Sequence, residues 1–463
     1  MRQPTPVRTD GRWSYRSVIT SLSRMSPVDG TDRPRRIAIA CQGGGSHTAF
    51  TAGVLARLLR TDAFDGAEIV GLSGTSGGAI CALVAWDRLR GGQGPEQREA
   101  AATALEEFWA DNAARGPLAR LQNLGTVWVG ALQGLGLLPG TTPYAIPRPI
   151  DGTRQFLDLL RRHVDFDAIA PDPAGRAPVL LLGAVDVLSG EFRAFDRRTD
   201  RITAESVLAS AAIPNLFRAV HTHGGVYWDG LFSQNPPTRD LLEAGPDELW
   251  VVQINASQID SEPRTLVEIA DRRNALAGNL SLNQELGFIE TIDQLLADGS
   301  LGPDSGYRQI TVRVLGMPAS VLASVTSWLI GSASKLNRDA GFLARLQRRG
   351  ARQADRFLGA LAFERAVLER DPVAFEAAVA PDAVLYSAAP FRERDRAGVR
   401  LYDHVDELLD GALRIDPTRK QVARDTATWR VRLRHDGEDS LGRAEATLDE
   451  DDLVTSLRLG PEG

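Results

Sequence analysis

Residues 68–90 read EIVGLSGTSGGAICALVAWDRLR. EIVGLSG is an apolar, β-branched run, GTSGG is glycine-rich, and GGAICALVAWDRLR is apolar on more than one helical face. The stretch therefore predicts a buried strand, a sharp turn and a helix packed on both sides. Within the turn, Gly74 to Gly78 satisfies G-x-S-x-G in the strand-to-helix context that gives that pattern meaning. A serine there sits in a strained turn where neighbouring side chains would clash, which is why glycines flank it. Ser76 is the candidate nucleophile, at a helix start whose positive end favours an alkoxide and a developing oxyanion. Ser73 competes, but Thr75 occupies the final glycine position of its frame, and it reads as support.

Upstream, RRIAIACQ predicts another buried strand, Gly43-Gly44-Gly45 a tight loop, and TAFTAGVLARLLR a helix. Strand, glycine turn and helix, twice over, indicate a parallel α/β sheet. The glycine loop can aim several backbone amides into one small volume, as an ester hydrolase needs for its tetrahedral oxyanion. A phosphate-binding loop is the competing reading. It is disfavoured because no Lys-Ser/Thr follows the glycines and Thr48 stands where G-x-G-x-x-G requires its last glycine. Downstream, APVLLLGAVDVLSGEFRAFD predicts a strand and hairpin, AESVLASAAIP a short helix stopped by Pro214, and DELWVVQINAS a further buried strand. Long helical segments around residues 268–299 and 335–361 are expected to cover the sheet. From about residue 360 the pattern changes. FERAVLERDPVAFEAAV and VRLYDHVDELLDGAL read as helices, PDAVLYSAAP as extended, and the remainder as antiparallel strands with an Asp-Gly turn.

A chain of 463 residues with 43% apolar and 24% charged residues suits a soluble protein of two units. A net charge of −7 supplies no global basic field, which argues against nucleic-acid binding. Cys41 and Cys81 are too few for a disulfide framework and have no metal-ligand spacing, so neither a metal nor another cofactor is expected and a reducing cytoplasm fits. The first 35 residues lack an apolar segment with a cleavage site and read as a disordered tail rather than a secretory signal. Leu121 to Pro147 and Val314 to Ser334 are uncharged but broken by glycine and proline, which excludes a spanning helix. Both read as buried packing, with a lipid-facing edge as the alternative.

Four motifs in order, QGGGSHTAFTAGVL, GLSGTSGGAI, ASAAIPNLF and VYWDGLFSQNPP, resemble the patatin-like phospholipase family, and the region around SKLN extends the likeness to near residue 358. The resemblance implies a three-layer patatin-like sheet covered by helices, a Ser-Asp dyad without histidine, Ser76 as nucleophile and Asp229 as its base. It implies an oxyanion hole at Gly43, Gly44, Gly45 and Ser46, and fatty-acyl esters of phospholipids or lysophospholipids as substrates. Expected partners are then lipid or a membrane surface, with peripheral association allowed. His47 replaces the Arg or Lys of many members, Thr48 a glycine, and Leu231 the Gly or Ala after the D-G pair. His47 and Thr48 motivate a rival reading, a catalytically decayed lipid-binding or scaffold protein. A Ser-His-Asp α/β-hydrolase is opposed by the lack of any histidine between Asp229 and residue 360. The last unit resembles a SnoaL-like α+β cone fold, a type that also serves as a dimerisation module. The expected division is a tail at 1–35, an acyl hydrolase domain at 36–358 and the small domain at 359–463.

Overall fold

The computed structural model describes residues 33–134, 137–138, 142–145, 152–214, 216–259, 261–318, 321, 331–387, 394–401, 413–415, 420–423, 426–435 and 438–461. Most of the expected N-terminal tail, most of the helix expected at VRLYDHVDELLDGAL, and the Asp436-Gly437 turn lie outside the described residues.

β1 (Arg35–Cys41) leads to α1 (Ala49–Leu59), β2 (Ala67–Thr75) and α2 (Gly77–Leu89). Beyond their first two residues both strands are buried at every position, the mark of a parallel strand covered on both faces. α3 (Pro95–Asn112), α4 (Pro117–Gly134) and α5 (Thr153–His163) precede β3 (Val179–Asp186), and β4 (Phe192–Asp196) folds back on β3. α6 (Ala204–Ser210), β5 (Val220–Thr222), β6 (Gly225–Asp229), β7 (Glu248–Gln253), α7 (Leu266–Ala297) and β8 (Thr311–Gly316) follow. The centre of the sheet runs β8-β7-β1-β2-β3 with all neighbours parallel.

Residues alternate between two cores, as the strand period requires. Ile37, Ile39 and Cys41 pack with Phe50, Leu55, Trp86 and Phe108 on one face. Ala38 and Ala40 pack with Leu282, Leu286 and Ile289 of α7 on the other. The result is the expected three-layer α/β arrangement, with helices on both faces of the sheet.

α8 (Ala340–Glu369) continues the first core through Phe342, Leu346 and Phe357. Its later residues Ala360, Phe363 and Val367 belong to a further core with Phe375, Trp429 and Leu457. The expected division at 358/359 thus falls inside one helix that serves both cores. α9 (Pro372–Ala378) follows, then β9 (Val379–Ser387), β10 (Arg394–Arg400), β11 (Leu413–Ile415), β12 (Lys420–Ala423), β13 (Ala427–His435), β14 (Glu438–Leu448) and β15 (Val454–Pro461). Mostly antiparallel, these strands join the central sheet where β12 pairs with β8. Arg313 of β8 spans the join. It donates to Glu248 at 2.7 Å and to Glu364 of α8 at 2.6 Å, and Glu364 also accepts from the Trp429 indole at 2.9 Å.

Two local expectations are corrected. FERAVLERDPVAFEAAV is two helices, because Arg370 turns left-handed (φ 54°) and the Asp371 carboxylate accepts the Val373 and Ala374 amides to start α9 at Pro372. The first uncharged stretch is not uniformly buried. α4 turns Asn123, Val127 and Ala131 inward and leaves Leu118, Leu121, Leu124, Trp128 and Val129 exposed. Among the described residues no helix is long and apolar enough to cross a membrane.

Candidate functional site

Strand register brings the two candidate residues together. β4 takes one edge of β3 from Leu181 to Val185, so β2 and β6 share the other. β2 ends at Thr75 opposite Gly183, and β6, running the opposite way, ends at Asp229 opposite Ala184. Ser76 and Asp229 therefore stand where two chain ends meet on one edge.

Ser76 caps α2 with φ 58° and ψ −129°, a conformation costly to any residue with a side chain. It is held there by Ser210 at the end of α6. The Ser76 amide donates to the Ser210 carbonyl at 3.1 Å and to Ser210 Oγ at 3.0 Å, while Ser210 Oγ donates to the Gly183 carbonyl at 2.7 Å. The flanking glycines are required by contact. A Cβ on Gly77 would lie 2.0 Å from Thr48 Oγ1, and one on Gly78 would lie 2.2 Å from the Cys41 carbonyl oxygen.

Asp229 is 1% exposed. Its Oδ1 accepts the Leu231 amide at 2.8 Å. Oδ2 is buried with no formed hydrogen bond, although the Ser76 hydroxyl is close enough to favour the carboxylate. The pair is adjacent but does not form a hydrogen bond of full geometry. Burial pushes the Asp229 carboxyl up to about 7, opposed by the Leu231 amide, the Ser76 hydroxyl and the Lys335 ammonium.

The glycine loop leaves β1 beside the Ser76 turn, because β1 and β2 are parallel neighbours with Cys41 opposite Gly74. Gln42 anchors it, donating to Asn279 Oδ1 at 2.8 Å and accepting the Ile254 and Asn255 amides at 3.0 and 2.9 Å. The Gly43 amide is already engaged by Asn235 Oδ1 at 2.7 Å. Among the described residues, no hydrogen bond occupies the amides of Gly44, Gly45 or Ser46. A Cβ on Gly43 would lie 2.9 Å from Ser76 Cβ, so this backbone passes directly against the serine. Gly45 has φ 58°, and a Cβ there would lie 2.3 Å from the Lys335 carbonyl oxygen.

His47, the departure at the family's basic position, is 3% exposed, with Nε2 2.8 Å from Ser334 Oγ. The Ser334 hydroxyl donates to the Gly331 carbonyl at 2.7 Å, which makes it the acceptor from His47 and assigns the ring proton to Nε2. Burial, then the nearby Lys335, lowers the His47 pKa to about 3, so the ring is neutral. Thr48 Oγ1 bonds the Gly45 carbonyl at 2.5 Å and ties the loop to its helix. Both departures are built into the loop.

Other candidates have local roles. Asp186 Oδ1 caps a turn through the Leu188 and Ser189 amides. His221 is exposed on β5, and both His223 ring nitrogens are used, by Thr222 Oγ1 and the Arg201 carbonyl. Cys41 and Cys81 are buried thiols, and burial pushes Cys81 up to about 12. Among the described residues no group of three His, Cys, Asp or Glu side chains is placed to hold a metal. Asn235, Asn255, Ser210, Ser334 and Lys335 were not singled out by sequence reasoning. Ser210, Asn235, Ser334 and Lys335 lie inside the segments ASAAIPNLF, VYWDGLFSQNPP and SKLN that carry the family resemblance, but nothing in those segments marks them individually.

Residues 39–242, which include the glycine loop, Ser76 and Asp229, match the family model described as patatin-like phospholipase. At the level of that family the match supports lipid acyl hydrolase activity. No curated protein sequence matches the chain. Among solved structures, VipD from Legionella pneumophila is 11% identical at a TM-score of 0.28, over 76% of this chain and 80% of VipD. Human GIVD cytosolic phospholipase A2 is 10% identical at 0.29, over 51% of this chain and 45% of the human protein. The type III effector protein ExoU is 15% identical at 0.23, over 74% of this chain and 62% of ExoU. These three likenesses are too distant to carry an argument about this chain.

Proposed function

We propose that the protein is a serine lipid acyl hydrolase that cleaves fatty-acyl esters of phospholipids or lysophospholipids through Ser76 and Asp229. The observation that carries this reading is the meeting of a strained, helix-capping serine with a buried carboxylate whose Oδ2 has no hydrogen-bond partner among the described residues. Ser76 Oγ attacks the ester carbonyl while Asp229 Oδ2 takes its proton. The free amides of Gly44, Gly45 and Ser46 and the positive end of α2 hold the negative charge on the carbonyl oxygen. Collapse of the tetrahedral intermediate passes the proton from Asp229 to the leaving alcohol. Water, deprotonated by the same carboxylate, then releases the fatty acid.

A carboxyl at about 7 suits a base near neutral pH, because it is substantially ionised there and still basic enough to accept a proton. Neutral His47 keeps a second cation away from the loop, which distinguishes this site from relatives with Arg or Lys there. The exposed apolar residues of α4, with Leu276 and Leu280 of α7, support access from a lipid surface. For the C-terminal unit we keep the SnoaL-like reading, supported by a mostly antiparallel set of strands whose core includes Phe363, Phe375 and Trp429. Dimerisation through it is a further part of this proposal, as is division of the chain near residue 358.

Turnover of a short dissolved ester tests the dyad. It is expected to collapse in Ser76→Ala and in Asp229→Asn and to persist in the double variant His221→Ala with His223→Ala. Loss only in the histidine variant sinks the dyad.

A further inference from the structure

One short segment grips both halves of the site. Gln234 and Asn235 follow the 3-10 turn Gly230–Phe232 that Asp229 caps. The Gln234 carbonyl accepts the Thr75 hydroxyl at 2.6 Å, one residue before the candidate nucleophile. Asn235 Oδ1 accepts the Gly43 amide at 2.7 Å, at the start of the glycine loop. Asn235 is fully buried, and its partners fix how the side chain is turned. The Gly43 amide can only donate and the Gly278 carbonyl only accept, so Oδ1 faces the loop and Nδ2 donates to Gly278 at 3.0 Å. The Asn235 backbone amide donates to Ser281 Oγ at 3.1 Å, also on α7. Gln42 Nε2 reaches the same Gly278 carbonyl at 3.1 Å. Gln42 and Gly43 are thus both fastened to one turn of α7, the first by its own side chain and the second through Asn235.

The bond to Gly43 matters because of where that residue lies. A Cβ there would be 2.5 Å from the Thr75 carbonyl oxygen and 2.9 Å from Ser76 Cβ, so no slack separates the loop from the serine turn. An amide given to Asn235 is also withdrawn from any oxyanion. The amides left without a hydrogen bond among the described residues are the next ones along, those of Gly44, Gly45 and Ser46.

We propose that Asn235 is a positioning residue of the site, which by holding the Gly43 amide sets the glycine loop against Ser76 and leaves the amides of Gly44 and Gly45 to receive the carbonyl oxygen. Its consequence in catalysis rests on the acyl hydrolase reading, whereas its hold on the loop does not. Asn235 acts through Gly43, whose amide it occupies.

The experiment compares full-length wild type with Asn235→Leu, which keeps the shape and removes both side-chain bonds, and Asn235→Asp, which keeps the acceptor for Gly43. Burial favours the protonated acid, whose hydroxyl restores the donor to Gly278. The first readout needs no activity. Deuterium uptake over the peptide containing Gly43 is expected to show that amide passing from slow to fast exchange in Asn235→Leu, with Asn235→Asp close to wild type and β2 unchanged in both. Unchanged uptake over the loop in Asn235→Leu overturns the proposal. The second readout is hydrolysis of a dissolved ester. In Asn235→Leu kcat is expected to fall about 100-fold with KM within about threefold, because oxyanion contacts form fully only in the transition state, and Asn235→Asp is expected to recover to within about tenfold of wild type. Equal kcat losses in the two variants, or a raised KM with kcat unchanged, overturn the proposal. Where Asn235→Leu does not fold, Asn235→Ser, whose shorter side chain admits a water, takes its place with the same directions expected in both readouts. Absence of Ser76-dependent hydrolysis in wild type, with loop exchange altered as expected, would instead overturn the hydrolase reading and leave the hold on the loop standing.

Discussion

Asp229→Asn is expected to gain stability relative to wild type as pH rises. The folded carboxyl titrates at about 7 against an ordinary value of 3.8. Between those values the folded protein holds a proton that the unfolded chain has released. Wild-type stability therefore falls as pH rises from about 4 to about 7, and this contribution is level on either side. About three pH units at about 1.4 kcal/mol each set an upper bound near 4 kcal/mol. Asparagine removes that slope. It preserves the acceptor for the Leu231 amide, while its buried NH2 adds a cost of about 1–3 kcal/mol that does not vary with pH. The slope is therefore diagnostic, and the absolute difference is not. Asp293 and Asp452, also raised by burial, titrate in both proteins and cancel. Urea unfolding of both proteins at about pH 5 and about pH 8 measures the difference. A gap that widens by 2 kcal/mol or more toward high pH is expected as an order of magnitude, and parallel pH dependences would refute the burial argument for Asp229.

Leu121→Glu combined with Trp128→Glu is expected to depress hydrolysis of vesicle lipid several-fold while sparing a dissolved ester, since charge on the exposed stripe of α4 disfavours a lipid surface. Equal effects on both substrates would remove that stripe from any role in lipid access. Glu364→Gln keeps an acceptor for Trp429 but leaves buried Arg313 with one carboxylate. It is expected to cost about 3 kcal/mol in urea unfolding, the lower end for a broken buried ion pair because Glu248 remains. A change under about 1 kcal/mol would show that the join at β8 does not depend on this charge.

The serine turn and the glycine loop were legible because each is a local pattern, complete within a few residues of a strand end. Their meeting follows from β1 and β2 being parallel neighbours, which strand-turn-helix repetition already implied. Asp229 was found by family resemblance, since a D-G pair after a short strand has no distinctive chemistry by itself. Contacts such as Gly43 with Asn235 and His47 with Ser334 join residues far apart in the chain, and no local pattern marks them. The continuity of α8 was hidden for a related reason. Helical periodicity shows that a face is apolar but not which core it meets, and here Leu358 and Ala360 face different ones. The exposed stripe of α4 defeated the burial expectation because an uncharged sequence reads alike whether its apolar residues are covered by protein or left exposed.

The most direct test of the central claim is covalent labelling of the full-length protein with a fluorophosphonate, which reacts with a serine made nucleophilic by its surroundings. Stoichiometric labelling of wild type at Ser76, located by peptide mass spectrometry and lost in Ser76→Ala, is the expected result, with Asp229→Asn labelled far more slowly. A folded wild-type protein left unlabelled, or labelling at another serine that survives Ser76→Ala, would contradict it.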